Sequence, residues 1–157
     1  MSMYSYRNPL SSEMGAVLQM RWENLRDPNA PINEKEVTDA YDAAASTVHG
    51  LIVQRGFGAA IVGTGRIHRP NETPELGVVR YMAIDERRRG QGLGRLLLEG
   101  MEAQALAIET GVPLERLEAN ARVMALGYYE TLGYSAVGDE FELVGVPHVR
   151  IVKQINL

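Results

Sequence analysis

Arg89-Gly90-Gln91-Gly92-Leu93-Gly94-Arg95 stands between an apolar run, Leu76 to Ile84, and a stretch in which Leu97, Leu98, Met101, Ala105 and Ile108 recur at helical spacing. Glycines placed there let the backbone turn tightly and bring successive N–H groups close to an anion, and the following helix adds the positive end of its dipole. The stretch therefore predicts a strand, a pyrophosphate cradle and a helix, in that order. A dinucleotide fingerprint would need a third glycine where Arg95 or Leu97 stands, and a Walker A loop would need Gly-Lys-Ser/Thr, so neither nucleotide motif fits. An ordinary glycine-rich turn is the plain alternative; three glycines with flanking arginines favour the anion site.

Upstream, alternation in Met3-Tyr4-Ser5-Tyr6 predicts a strand, and Met14, Val17, Leu18, Arg21, Trp22 and Leu25 predict a helix that ends near Asp27-Pro28. A loop follows to about Lys35, then a short helix from Glu36 to Ala45. Val48 to Gln54 and Ala59 to Ile67 read as an antiparallel hairpin around Arg55-Gly56-Phe57-Gly58. Downstream, Gly111 ends the helix. Leu114 to Asn120 reads as a strand, with Leu117 and Ala119 on one face and Arg116, Glu118 and Asn120 on the other. Ala121, Ala125, Tyr128 and Leu132 form the stripe of a further helix that stops at Gly133, which makes Tyr128 a core residue. Two last strands surround Gly145-Val146-Pro147-His148.

At 157 residues, with 45% hydrophobic and 23% charged, the chain is expected to be one domain over 1–157. It has no cysteine, which excludes disulfides, thiolate metal sites and a cysteine nucleophile. A net charge of -4 argues against general nucleic-acid binding, although the Arg87-Arg88-Arg89 run is locally basic. No apolar run approaches the roughly 20 residues of a membrane span, and the N-terminus lacks a signal-peptide layout, so a cytoplasmic protein without a membrane partner is expected. No cluster has metal-ligand spacing, and no metal is expected.

Arg89-x-x-Gly92-x-Gly94 after Met82-Ala83-Ile84 resembles the acyl-CoA-binding motif of the GNAT superfamily of N-acyltransferases, and Tyr129-Glu130-Thr131-Leu132-Gly133-Tyr134 is similar to that family's Tyr-bearing helix with its Leu-Gly-aromatic ending. The resemblance runs from about Val48 to the C-terminus. Gly145-Val146-Pro147-His148 further resembles a small bacterial branch whose substrates are largely unassigned. The resemblance implies an α/β (α+β) fold: a mixed, mostly antiparallel central sheet, flanked by helices and splayed around an acyl-CoA cleft between the strand ending at Ile84 and the one ending near Asn120. It implies that acetyl-CoA, as co-substrate, pairs with Met82, Ala83 and Ile84 like an added strand and lays its pyrophosphate against Arg89, Gly90, Gln91, Gly92, Leu93, Gly94 and Arg95. Many relatives have Asn where this chain has Arg122; Asn120 either substitutes for it or caps the next helix.

Acyl transfer to an amine needs a neutral nucleophile, stabilisation of the oxyanion and a proton for the departing thiolate. The Met82 N–H is the expected oxyanion donor and Tyr129, whose phenol ordinarily titrates near 10, the expected acid. For the base, Glu118, His148 and a water relay remain open. The acceptor is expected to be a small-molecule or peptide amine, and homodimerisation stays open. The rival readings are a sensor module that binds acyl-CoA without turnover, and a transferase using a different acyl-CoA.

Overall fold

The computed structural model describes residues 3–56 and 58–155. Seven strands, β1 (Tyr4–Arg7), β2 (Val48–Gln54), β3 (Ile61–His68), β4 (Leu76–Ile84), β5 (Arg116–Arg122), β6 (Ser135–Leu143) and β7 (Val146–Gln154), form one sheet in the order β1-β2-β3-β4-β5-β7-β6. Every neighbouring pair is antiparallel except β4 with β5. The β2–β3 hairpin is as the sequence predicts, though Phe57 in its turn lies outside the described residues.

Three helices cover the sheet: α1 (Met14–Leu25), α2 (Leu93–Ala107) and the six-residue α3 (Leu126–Thr131). Leu97, Leu98 and Met101 of α2 are fully buried with Ile52, Val62, Leu117 and Ile151. Each such side chain contributes about 1.5–3 kcal/mol by leaving water. α2 sits close because β2 and β3 carry glycine beneath it: a Cβ on Gly50 would lie 2.7 Å from Met101, and one on Gly65 2.8 Å from it. α1 packs over β3 and β4 from the opposite face.

Two predicted helices differ. Residues 36–45 form no α-helix; short 3-10 helices stand instead at Glu34–Glu36 and Ala40–Ala43. Asn33 and Asp39 accept the backbone N–H groups of Lys35 and Tyr41, local bonds that interrupt a continuous helix. The helix predicted from Ala121 starts only at Leu126, because β5 continues through Arg122, pairing Ala121 with Val149 and Arg122 with His148. Asn120 thus lies inside a strand and caps nothing, and Tyr128, 43% exposed, is not a core residue.

Candidate active site

β4 and β5 run parallel, and their pairing stops after three positions, Leu76–Val78 against Arg116–Glu118. β4 continues to Ile84 and β5 to Arg122, so beyond Val78 the sheet is open. A cavity of about 840 Å³ fills the opening, and its wall includes Met82, Ala83, Ile84, Glu118, Asn120 and Tyr129. The Asp85 N–H donates to Val62 O at 2.8 Å, and Ala83 is paired with Thr64, so both face β3. Alternation along the strand then aims the N–H groups of Ile84 and Met82 into the gap.

A bulge prepares this edge. The β3–β4 register shifts between Thr64 and Arg66, and Tyr81 adopts φ +56°. Such a backbone costs about 1–3 kcal/mol in a non-glycine residue. The bulge leaves Val79 and Met82 both on the α2 side. Arg21, Arg66 and Arg80 surround the Tyr81 ring, with guanidinium carbons 4.3, 5.0 and 4.5 Å from its centroid. Arg21 and Arg66 have no exposed side-chain surface. Asp42 accepts from Arg21 at 3.0 and 3.1 Å and from Arg66 at 3.0 Å, while Asp39 accepts from Arg66 at 2.7 and 2.9 Å and from Arg80 at 2.8 Å. Asp39 therefore ties a buried ion network to Arg80 in the cleft wall.

Burial would raise the Asp39 carboxyl, but the Arg66 hydrogen bonds and charge hold it down to about 2; Asp42 is lowered in the same way, burial opposing and Arg21 then Arg66 prevailing. His68, stacked on Tyr41, accepts at Nδ1 from Arg66 and is pushed down to about 4 by burial and then by the Arg66 charge. Both kinds of shift give stability that is complete above the unfolded pKa and lost as pH falls through the folded one. Stability is therefore expected to decline from about pH 6.5, where His68 of the unfolded chain takes up a proton that the folded state refuses, and again from about pH 4, where the unfolded aspartates do the same. Asp42→Ala leaves the buried Arg21 guanidinium with only the Val37 carbonyl, while Arg66 keeps Asp39, and should cost about 3–5 kcal/mol in chemical denaturation at pH 7; a loss below about 1 kcal/mol, the scale of exposed pairs, would remove the network from the account of stability.

At the far end of β4, Gly90 (φ +83°) and Gly92 (φ +75°) turn the chain, and Gly92 is the N-cap of α2. The first N–H groups of α2 are there without intrahelical partners. Arg88 and Arg89 line the same end of the cavity; Gln91 and Arg95 lie outside its wall. Arg95 instead pairs with Glu99 at 3.2 Å along the helix surface. The Tyr128 hydroxyl rests against this turn: a Cβ on Gly94 would lie 2.7 Å from it. Burial raises the Tyr128 phenol, against the opposing pull of the Arg95 charge and backbone N–H. Sequence periodicity misassigned Tyr128 because α3 is one short turn-and-a-half rather than a long buried helix.

Tyr129 meets Tyr128 and Tyr134 edge to face, with centroids 5.7 and 5.9 Å apart. Its hydroxyl has no protein hydrogen-bond partner among the described residues, and burial, then Tyr128, raises its pKa above the ordinary value. It stays protonated through the neutral range. Tyr134 by contrast donates to Glu102 at 2.7 Å, and Lys153 pairs with the same carboxylate at 3.0 Å.

Glu118 lines the gap with its side chain 15% exposed. Arg150 at 2.7 Å and Arg116 at 3.3 Å both contact Oε1, and Oε2 has no partner among the described residues. Asn120 faces the same opening, paired across the ladder with Arg150. His148 is buried, bonds Val146 O through Nδ1 at 2.7 Å, and stacks with Phe141. With Nδ1–H donating to that carbonyl, Nε2 is the free ring nitrogen. The arginines Arg26, Arg80 and Arg150 join the wall without having been singled out from sequence; Arg80, a lone charge in the apolar run Leu76–Ile84, was the available signal. Among the described residues no group of three or more His, Cys, Asp or Glu side chains is placed to hold a metal, and no helix is long and apolar enough to cross a membrane.

The positive-φ glycines, the open strand edge and the gap fit acyl-CoA: the turn leaves room where a Cβ would stand, and the edge presents unpaired N–H groups. A sheet splayed this way, with a glycine turn at the start of α2 at one end and a tyrosine pair on its rim, suits an acyl-CoA transferase. A family model described as an acetyltransferase (GNAT) domain matches residues 26–155, and the chain belongs to the GNAT acetyltransferases, an acyl-CoA-dependent enzyme family. It is 33% identical over 93 residues to a Bacillus subtilis (strain 168) protein named "putative acetyltransferase", a match that spans 59% of this chain and 58% of that protein. It is 33% identical over 125 residues to YyaT of the same organism, covering 80% of this chain and 78% of that one. Among solved structures, Escherichia coli ElaA superposes with a TM-score of 0.76 at 19% identity, covering 98% of this chain and 99% of that one. The mixed, mostly antiparallel sheet splayed at β4 and β5 is the expected fold.

Proposed function

We propose that residues 1–157 act as one domain that transfers the acetyl group of acetyl-CoA directly to a primary amine. The observation that carries this reading is the cavity between β4 and β5, where the Met82 and Ile84 N–H groups, the glycine turn and the unpartnered Tyr129 hydroxyl meet. In this reading the turn and the α2 amides hold the pyrophosphate and Ile84 pairs with the pantetheine arm. The Met82 N–H binds the acyl oxygen as it gains charge. Tyr129 gives its proton, or a hydrogen bond, to the leaving sulfur. Glu118 Oε2 accepts the amine proton, directly or through water. Its partners Arg116 and Arg150 offset its charge, so it attracts a cation less than a lone carboxylate would.

A base matters because a lysine-like amine with pKa about 10.4 costs roughly 4–5 kcal/mol to deprotonate at pH 7. Calorimetry should show acetyl-CoA binding, and an amine panel followed by free-thiol detection should show acceptor-dependent CoA release. Binding without release for any acceptor would make the chain a sensor, and tighter binding of a longer acyl-CoA would change the donor. With a productive amine, Glu118→Gln should lower kcat/KM most at neutral pH and recover at alkaline pH, where free amine accumulates. A loss uniform in pH would make Glu118 a binding residue, and no loss would transfer the proton to His148 Nε2 or to a water relay.

A further inference from the structure

On the α1 side of the gap the wall is basic although the whole chain is acidic. Alternation along β5 sends Leu117, Ala119 and Ala121 to the α2 core, and so turns Glu118, Asn120 and Arg122 to the other face. Arg150 joins them from β7, paired with Asn120 and diagonal to Arg122. Six arginines line the cavity against one acid, Glu118. Arg88 is paired with Asp85 at 2.6 Å and Arg80 with Asp39 at 2.8 Å, and Arg150 shares Glu118. Arg122 has no ion pair or hydrogen bond among the described residues, and Arg26 bonds only the carbonyls of Leu25 and Glu36. The cleft thus holds cationic charge that the protein does not compensate.

The phosphates of acyl-CoA can take Arg88 and Arg89 beside the glycine turn, but they do not account for Arg122 and Arg150. The glycine turn leads into α2, which covers the face opposite the one that Arg122 and Arg150 occupy. Arg150, moreover, spends one nitrogen on Glu118 Oε1 and keeps its others free to donate. A guanidinium beside a carboxylate, with a second guanidinium diagonal to it, matches a molecule bearing an ammonium at one end and an anion at the other. Resting on the acetyltransfer reading, we propose that the acceptor is a primary amine that carries a carboxylate or phosphate: the anion is bound by Arg150 and Arg122, and the amine is held at Glu118 Oε2. A polyamine or an unmodified lysine-rich segment would meet repulsion at the same wall.

The test compares amines of one chain length with different tails, butylamine, γ-aminobutyrate and putrescine, together with ethanolamine against O-phosphoethanolamine. Each is read by CoA release and by calorimetry on CoA-saturated protein. The anionic member of each set should be favoured over the neutral one by about ten-fold or more, the scale of a hydrogen bond to a charged group. Arg122→Glu should turn the order round in favour of putrescine, a reversal that a merely structural role would not produce. Equal response to all tails, a preference for putrescine in the wild type, or no binding of either anionic amine overturns the proposal. A rise in the acetyl-CoA Kd for Arg122→Glu without reordering assigns Arg122 to the cofactor and also overturns it. Failure of the wild type to bind acetyl-CoA at all would instead sink the acetyltransfer reading, so the two failures are separable.

Discussion

A Gly94→Val protein should fold and yet bind acetyl-CoA roughly 10²- to 10⁴-fold more weakly than wild type, the loss of two hydrogen bonds to a charged group at about 1.5–3 kcal/mol each. The new Cβ would stand 2.7 Å from the Tyr128 hydroxyl, the far end of a side chain that can swing away. Its displacement leaves valine and phenol competing for the space in which a phosphate must approach the α2 amides. Folding survives because Gly94 lies in the first turn of α2, where valine is no worse a helix residue than glycine. Gly92→Val should lose binding similarly but with a larger stability cost, since φ is +75° there and a β-branched residue resists it. Calorimetric titration beside a denaturation curve separates the two effects. An acetyl-CoA Kd within about three-fold of wild type in folded Gly94→Val, well short of one lost charged hydrogen bond, would remove the cradle from the site.

Tyr129→Phe should leave acetyl-CoA affinity and stability near wild type and lower kcat by about 10²- to 10⁴-fold, the range for a positioned general acid. The stability half of this expectation follows from the hydroxyl having no protein partner among the described residues: its removal orphans no buried group there. Tyr134→Phe is the contrasting control, because it strips a 2.7 Å donor from Glu102 and should show in stability first. Burial raises the Tyr129 phenol, so the acid form persists above pH 10, and the wild-type rate should show no alkaline decline from this group through pH 9. Unchanged kcat on a productive amine would make Tyr129 a packing residue.

The half of the site proposed for the cofactor was readable in order along the chain, because its parts are contiguous: the apolar run to Ile84, the glycine turn and the α2 stripe are local, and the chemistry proposed for them is largely backbone chemistry. The acceptor half was not. Tyr81 takes a left-handed backbone only because β3 and β4 fall out of register beside it, a property of the pairing rather than of the residue. Arg21 read as one more position on an amphipathic helix; that it is wholly buried became visible only when Asp42 folded back to supply its carboxylate.

The sequence by itself determined the strand, glycine turn and helix at the core, the parity that puts Glu118 and Asn120 on one face, and the Tyr129 ending, since period, glycine placement and strand alternation are set by near neighbours. Only the tertiary structure decided that β5 runs on to Arg122, that Tyr128 leans on the α2 turn, and that Arg150 meets Glu118 from 32 residues away. Each of these depends on which strand β5 pairs with. The β5–β7 ladder holds Ala121 and Arg122 as strand although they open a stretch whose own periodicity favours helix, because long-range hydrogen bonding and core burial outweigh a local preference of a few tenths of a kcal/mol per residue.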